Sequence, residues 1–288
     1  MSLQPELTDH ELGSLVGKTI IITGGASGIG RATVLKAHQY GANVVIADVN
    51  SDAGEALVAE LKSRAVFHKT DISNWNSVLD LYEAAITNFS TVDAVCANAG
   101  TNAWDSVLTD EIDEGTGRLK APSFKNVEIN LFGAINTAKA AVHYFSRNPN
   151  GKGQLVMTGS AASIIDTPPL HLYCAAKAGI LGFMRSLRTQ LIKKNITVNM
   201  VAPWMTRTPM LPEEISKMWG ELPANTPEGV ASALLLPAVR PEVNGKTFWV
   251  AGNDIVELED ALHSTQPQWL GPTLSKQVDE GQVRMGIS

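Results

Sequence analysis

The chain has 288 residues, 44% of them hydrophobic and 18% charged, with a formal net charge of −6. That balance suits a single α/β unit of about 250 residues around a substantial core, and the lack of any Lys/Arg cluster argues against nucleic acid or an anionic membrane as partner. No apolar run approaches the roughly 20 residues that span a bilayer, and the acidic start (Glu6, Asp9, Glu11) does not read as a signal peptide.

Residues 1–17 read as a polar extension. Lys18 to Thr23 is a short run rich in Ile and Thr that predicts a buried strand. It breaks into Gly24-Gly25-Ala26-Ser27-Gly28-Ile29-Gly30, and a helical pattern then runs from Arg31 to about Tyr40 and stops at Gly41. Asn43 to Ala47 is a second strand ending at Asp48, and helix-like sequence from Asp52 to Lys62 leads to a third, Ala65 to Lys69, and on to Asp71-Ile72. An amphipathic helix from Trp75 to about Asn88 precedes a fourth strand, Val92 to Ala97, which ends in Asn98-Ala99-Gly100. Cys96 and Cys174 are the two cysteines, both in apolar or Ala-rich runs. They point to a reducing compartment, so a cytoplasmic location is expected.

Thr101 to Pro122 is polar and predicts an exposed loop with irregular helix. A long helix from about Ser123 to Ser146 follows, then a fifth strand from Gln154 to Thr158, then a helix bearing Tyr173 and Lys177 as far as about Lys194. Thr197 to Ala202 is the sixth strand and Lys246 to Ala251 the last. Between them, Thr206 to Pro223 is apolar and punctuated by prolines, which suits either a mobile lid over a ligand or a helix packed on the core. The tail from Glu257 shows little regular pattern. Near-continuously apolar strands alternating with helices predict one Rossmann-type, doubly wound α/β domain over residues 18–256, with a mostly parallel sheet of seven strands and helices on both faces. Residues 257–288 form a C-terminal tail in this scheme.

Gly24, Gly28 and Gly30 follow a strand and open a helix, where backbone N–H groups and the positive helix end can hold a pyrophosphate. Their spacing, G-x-x-x-G-x-G, is a relative of the dinucleotide fingerprint G-x-G-x-x-G. Asp48 stands about 20 residues past the middle glycine, where an acidic group accepts hydrogen bonds from the adenosine ribose. A carboxylate there repels a 2′-phosphate, and neither Ser27 nor Val49 offers a cation to hold one, which favours NAD over NADP; Arg31 is the one nearby cation. Asp71-Ile72 and Asn98-Ala99-Gly100 stand at C-terminal strand ends, where open α/β sheets bind ligands. A helix N-cap for Asp71 and a turn for Asn98 are the structural alternatives. Tyr173 and Lys177 fall on one helix face. There an ammonium can lower a phenol pKa that starts near about 10, although the same spacing occurs on amphipathic helices with no catalytic task.

Together, Thr23-Gly24-Gly25-Ala26-Ser27-Gly28-Ile29-Gly30, Asn98-Ala99-Gly100, Asn130, Ser160 and Tyr173-x-x-x-Lys177 resemble the short-chain dehydrogenase/reductase family, from about Lys18 to Gly252. Gly117 to Leu131 and Pro267-Gln268-Trp269-Leu270-Gly271 further resemble fungal members related to 15-hydroxyprostaglandin dehydrogenase. The resemblance implies that Tyr173 is the general acid/base for the substrate oxygen and that Lys177 holds the nicotinamide ribose and lowers the tyrosine's pKa. It implies that Ser160 hydrogen-bonds the substrate oxygen and that Asn130 positions a water beside the lysine for proton relay. Implied cofactor contacts are Gly24, Ser27, Gly28, Ile29, Gly30, Asp48, Val49, Asp71, Ile72, Asn98, Gly100, Tyr173, Lys177, Pro203, Thr206 and Thr208. The family also implies a homodimer or homotetramer, and no metal.

One departure stands out. After the sixth strand the family has Pro-Gly, whereas here Pro203 is followed by Trp204. A glycine tolerates dihedrals that tryptophan does not, so the loop conformation is open. The indole either walls the substrate site, with Met210 nearby, or packs against the lid. Ala251-Gly252-Asn253 lacks the family's paired glycines, and Asp166 is either a substrate contact or an exposed loop carboxylate. The expected activity is hydride transfer between NAD and a secondary alcohol or ketone of an apolar small molecule, the phenol moving the proton and the serine stabilising charge on oxygen. A cyclase, isomerase or dehydratase on the same scaffold, with the cofactor structural or recycled, is the alternative.

Overall fold

The computed structural model describes residues 7–103 and 105–287. Residues 1–6 of the expected extension, Glu6 among them, lie outside the described residues. Strand β1 (Thr19–Thr23) is TIIIT, β-branched throughout and buried at all five positions, as a strand covered on both faces must be. Beside it lie β2 (Asn43–Asp48), β3 (Ala65–Lys69), β4 (Ala94–Ala97), β5 (Gly153–Thr158), β6 (Ile196–Pro203), β7 (Thr247–Ala251) and β8 (Asp254–Glu257), in the order β3-β2-β1-β4-β5-β6-β7-β8. The first seven run parallel, and β8 folds back antiparallel on β7. The order reverses between β1 and β4, which opens a crevice at the carboxyl ends of these two strands. The eighth strand exceeds the expected seven because Gly252 and Asn253, at φ 59° and 71°, make a two-residue hairpin turn.

The helices are α1 (Asp9–Leu12), α2 (Gly28–Gln39), α3 (Ser51–Leu61), α4 (Trp75–Phe89), α5 (Lys125–Val127), α6 (Ala134–Phe145), α7 (His171–Leu191), α8 (Glu213–Trp219), α9 (Pro227–Val239), α10 (Glu259–Ser264), α11 (Gln266–Leu270) and α12 (Pro272–Arg284). Two cores lie on opposite faces of the sheet, and the pleat sorts residues between them. Ile21 joins Leu81, Tyr82, Phe145, Ile180 and Met184 from α4, α6 and α7. Its neighbours Ile20 and Ile22 join Val34, Val230 and Leu234 from α2 and α9. Among the described residues no helix is long and apolar enough to cross a membrane.

Four segments differ from the sequence expectation. Helix α9, for which the sequence suggests no element, is buried from Val230 to Val239 except at Ser232, so it has no polar face to give an amphipathic period. Among the described residues of Thr101 to Pro122 there is no helix, only an antiparallel bridge between Ile112 and Leu119. The predicted long helix is interrupted by a π-helical segment, Glu128–Gly133, between α5 and α6. The tail carries α10 to α12 rather than little regular structure.

Helix α10 is tied to the sheet through Glu259. Its side chain, 8% exposed, accepts a bidentate pair of hydrogen bonds from Arg185 and single ones from Arg188 and Thr247. Removing the carboxylate strands two guanidiniums and a hydroxyl, softened by the partial exposure of the arginines. Glu259→Ala is therefore expected to lose about 2–3 kcal/mol of unfolding free energy in urea denaturation.

Candidate active site

The crevice between β1 and β4 is closed at its floor by Thr23. The Thr23 hydroxyl accepts the Asn98 and Ala99 N–H groups at 3.0 Å each, while Asn98 Nδ2 donates to the Thr23 carbonyl at 3.1 Å. Thr158, at the end of β5, donates to Asn98 Oδ1 at 3.3 Å, so Asn98 ties three strand ends together. Gly24, at φ +65°, passes so close to this strut that a Cβ would sit 2.9 Å from Ala99 Cα. At Gly30 a Cβ would lie 2.0 Å from the Gly24 carbonyl oxygen, so only glycine lets α2 approach β1 there. The Ser27 side chain makes no capping bond to α2, which leaves the first-turn N–H groups facing the crevice mouth to a ligand. Across the turn, a Cβ on Gly28 would lie 3.4 Å from the Thr208 side chain. Arg207, Thr208, Pro209, Leu211, Glu213 and Ser216 line a cavity of about 420 Å³ there.

Asp48 ends β2 with both oxygens engaged, accepting the Ala26 and Asn50 N–H groups at 3.0 Å each. Val49 beside it is exposed, and Arg31 is paired with Glu60 at 2.7 Å. Asp71 is not a helix N-cap, since Asn74 caps α4; Asp71 instead accepts the N–H and hydroxyl of Ser73. Ile72 is buried, its carbonyl accepting Asn136 Nδ2 at 3.1 Å.

Asn130 lies in the π-helical segment, 1% exposed, and its amide grips Thr101 from both sides: Oδ1 accepts the Thr101 N–H and Nδ2 donates to the Thr101 carbonyl, each at 2.9 Å. A Cβ on Gly100 would come within 2.6 Å of Asn130 Oδ1 and 3.6 Å of Lys177 Nζ, which brings the three residues to one point. Ser160 begins a single 3-10 turn, Ala161–Ser163, in a mutual cap with Ser163. Ser163 Oγ then donates to the Lys177 carbonyl at 2.8 Å, joining this turn to α7.

Lys177 is 4% exposed, and its ammonium donates to the Thr158 carbonyl at 2.8 Å. Burial pushes its pKa down to about 8. Burial pushes the half-buried Tyr173 phenol up, and a hydrogen bond with Ser160 works against that rise. The Lys177 ammonium is held at the Thr158 carbonyl, 5.6 Å from the centre of the Tyr173 ring.

Trp204 adopts no left-handed backbone, and its N–H donates to the Val250 carbonyl at 2.8 Å, so the strand pairing simply continues where the family's glycine would stand. Its indole stacks on Trp249 (6.1 Å, 24°) and meets Trp219 of α8 edge-on (5.6 Å, 69°). The indole thus packs against the 206–223 segment through Trp219. Met210 and Asp166 are both exposed. Pro203 is buried at the end of β6, and Thr206 Oγ1 donates to the Trp204 carbonyl at 2.9 Å.

Sequence reasoning missed several residues. Asn225, fully buried, holds the loop after β6: its backbone pairs with Met205 and Arg207, and its amide reaches Thr206, Val250 and Asn253. Asn126 repeats the role of Asn130 one turn earlier, bonding the Ala103 backbone N–H and carbonyl at 3.2 and 2.8 Å. A second cavity, of about 520 Å³, lies just ahead of Tyr173 in the chain, with Asn102, Asp105, Leu108, Thr109, Leu170 and His171 on its walls. The one sequence signal for these was the pair of asparagines four residues apart.

A glycine turn at the reversal of an open parallel sheet defines the dinucleotide-binding, doubly wound class of protein. Comparison sharpens the class to a family. The short chain dehydrogenase family model matches residues 18–219, and the chain belongs to that family of oxidoreductases. It is 33% identical over 286 residues to the short-chain dehydrogenase/reductase prx4 of Penicillium roqueforti, covering 92% of this chain and 84% of the relative. It is 30% identical over 294 residues to 5'-hydroxyaverantin dehydrogenase of Dothistroma septosporum, covering 93% and 94%. Among solved structures, a short-chain type dehydrogenase/reductase from Mycobacterium marinum superposes with a TM-score of 0.74 at 23% identity, over 85% of this chain and 98% of that one. The 3-ketoacyl-(acyl-carrier-protein) reductase from Brucella melitensis, complexed with NADH, does so at 0.72 and 24%, over 83% and 98%. The structural likeness speaks to the fold.

The buried lysine sets a pH dependence. Its folded value, about 8, lies below the ordinary 10.5, so between these two pH values the unfolded chain binds more protons and this group's contribution to stability rises with pH. Lys177→Met should therefore be more stable relative to the wild type at pH 7 than at pH 10. Urea denaturation at both pH values checks this, and an equal difference at the two contradicts it.

Proposed function

We propose that the protein is an NAD-dependent oxidoreductase that moves a hydride between the nicotinamide and a secondary alcohol or ketone of an apolar small molecule. The observation that carries this reading is the meeting of Ser160, Tyr173 and Lys177 at the ends of β4 and β5, with Gly100 and Asn130 closing the space around the ammonium. The glycine turn fits a dinucleotide, because its close backbone passages leave no room for side chains and its helix start lacks a side-chain cap. Gly24, Ser27, Gly28, Ile29 and Gly30 would hold the pyrophosphate, Asp48 and Val49 the adenosine ribose, and Asp71 and Ile72 the adenine end. Asn98 and Gly100 would line the path to the nicotinamide, Lys177 would hold its ribose, and Pro203, Thr206 and Thr208 its carboxamide. NAD is favoured over NADP because Asp48 is a carboxylate fixed at the end of β2, where the ribose would lie, and Arg31 is already paired with Glu60.

When bound, the nicotinamide supplies the hydride donor or acceptor. The chain's own residues handle the proton. The Tyr173 hydroxyl exchanges it with the substrate oxygen, Ser160 stabilises charge on that oxygen, and the Lys177 ammonium opposes the desolvation that holds the phenol up. Residues 18–256 are the catalytic domain in this reading and 206–223 its lid, with Trp204 anchoring the lid through Trp219. The relatives' names are those of dehydrogenases and reductases, which gives the non-redox alternative no support. A cytoplasmic homodimer or homotetramer completes the proposal, consistent with two free cysteines.

Tyr173→Phe tests it. Loss of a general acid/base is expected to lower turnover by roughly 10²–10⁴-fold, while NAD affinity, measured by calorimetry, stays within about twofold. Turnover close to wild type in this variant overturns the reading.

A further inference from the structure

Helix α7 carries both Tyr173 and Lys177, yet its N-terminus has no cap of its own: Leu170, at the N-cap position, offers no side-chain acceptor. The missing acceptor arrives from another part of the chain. Asp105, in the loop after β4, accepts the Leu172 N–H through one carboxylate oxygen and the Val107 N–H, at 3.1 Å, through the other. Its side chain is 5% exposed, and the His171 ring nitrogen Nδ1 lies 3.6 Å from it. A carboxylate at a helix N-terminus satisfies an orphan donor and complements the positive end of the helix.

The segment leading to Asp105 is gripped at every second residue. Thr101 is held by Asn130, Ala103 by Asn126, and Asp105 by the first turn of α7. The three stitches run from the π-helical segment to the catalytic helix, and the last lies one residue before Tyr173. Asn102 and Asp105 from this segment, with Leu170 and His171 from α7 and its approach, also line the 520 Å³ cavity. A single carboxylate thus joins two walls of that cavity.

We propose that Asp105 is a positioning residue: it caps α7 from outside the helix and so fixes where Tyr173 stands relative to Ser160 and to the neighbouring cavity. This assignment rests on the reading of Tyr173 as acid/base, but its test does not depend on turnover, so the two can fail separately. Burial contributes to the direction of the Tyr173 shift, and the expected signal follows from geometry: without the clasp, the first turn of α7 frays and water reaches the phenol.

The experiment is fluorine NMR on protein labelled with fluorotyrosine, which carries four tyrosines, the Tyr173 resonance being assigned with Tyr173→Phe. Asp105→Ala is expected to shift that resonance, to lower its titration midpoint, and to speed amide exchange at Leu172 to Cys174 about tenfold, the factor that loss of one side-chain cap corresponds to. Asp105→Asn keeps one acceptor oxygen for the Leu172 N–H but none for the Val107 N–H, and should change all three less than Asp105→Ala does. Asp105→Glu keeps the charge but displaces the acceptor by one methylene, and should give the Ala effect in smaller measure even if Asp105→Ala does not fold. An unchanged Tyr173 signal in folded Asp105→Ala or Asp105→Glu overturns the proposal. So does an Asn variant as perturbed as the Ala variant.

Discussion

A lysine ammonium taken out of water is the constraint on which the rest of this site depends. Desolvating such a group costs several kcal/mol unless it finds partners, and Lys177, at 4% exposure, donates to the Thr158 carbonyl. The surroundings are shaped by that demand. Gly100 contributes no side chain where one would crowd both the ammonium and Asn130. The wide turn of the π-helical segment carries Asn130 to that same point. Helix α7, which must present Lys177 and Tyr173 together, is fastened along its length: Asp105 at Leu172, Ser163 at the Lys177 carbonyl, and Glu259 at Arg185 and Arg188. Each fastening comes from outside α7, and two of the three from segments distant in the chain, so the geometry of the pair is a property of the assembled fold.

The opposite side of the crevice obeys a different rule, that of close backbone approach. Thr23 and Asn98 lock the ends of β1 and β4, and the glycine turn passes over them at distances no side chain could share. After β6 the chain closes over this region by another device. Trp204 fits there because its backbone needs no left-handed conformation and its N–H pairs with the Val250 carbonyl. Three indoles then link β7, the end of β6 and α8, and Asn225 holds the intervening loop from beneath. This end of the crevice is thus closely packed at the glycine turn and joined by aromatic contacts to the 206–223 segment.

What the sequence made legible follows from how far each signal reaches along the chain. The glycine turn, the strand-end Asp48 and the Tyr173–Lys177 spacing are local, and each stands where local chemistry put it. The sheet was legible because buried parallel strands are continuous apolar runs. Helix α9 was not, because a helix apolar on every side lacks the period that betrays one. The eighth strand has a readable sign, Gly252-Asn253 after the apolar run of β7, in the same stretch that lacks the family's glycine pair. Asn126, Ser163, Asn225 and Asp105 were illegible for a common reason: a polar residue in a loop or helix is defined by a partner that only folding supplies. The protonation of Tyr173 belongs with them, since desolvation depends on the packed surroundings and spacing does not report it.

The central claim is that this crevice and its Ser–Tyr–Lys cluster form a redox site selective for NAD. The most direct measurement is the absorbance of reduced nicotinamide during incubation of the wild-type protein with a panel of apolar secondary alcohols and ketones, with NAD or NADP and their reduced forms. The account predicts net formation or consumption of reduced cofactor with at least one of them, faster with NAD than with NADP. Conversion of a panel compound with no net change in that absorbance, or a clear preference for NADP, would contradict it.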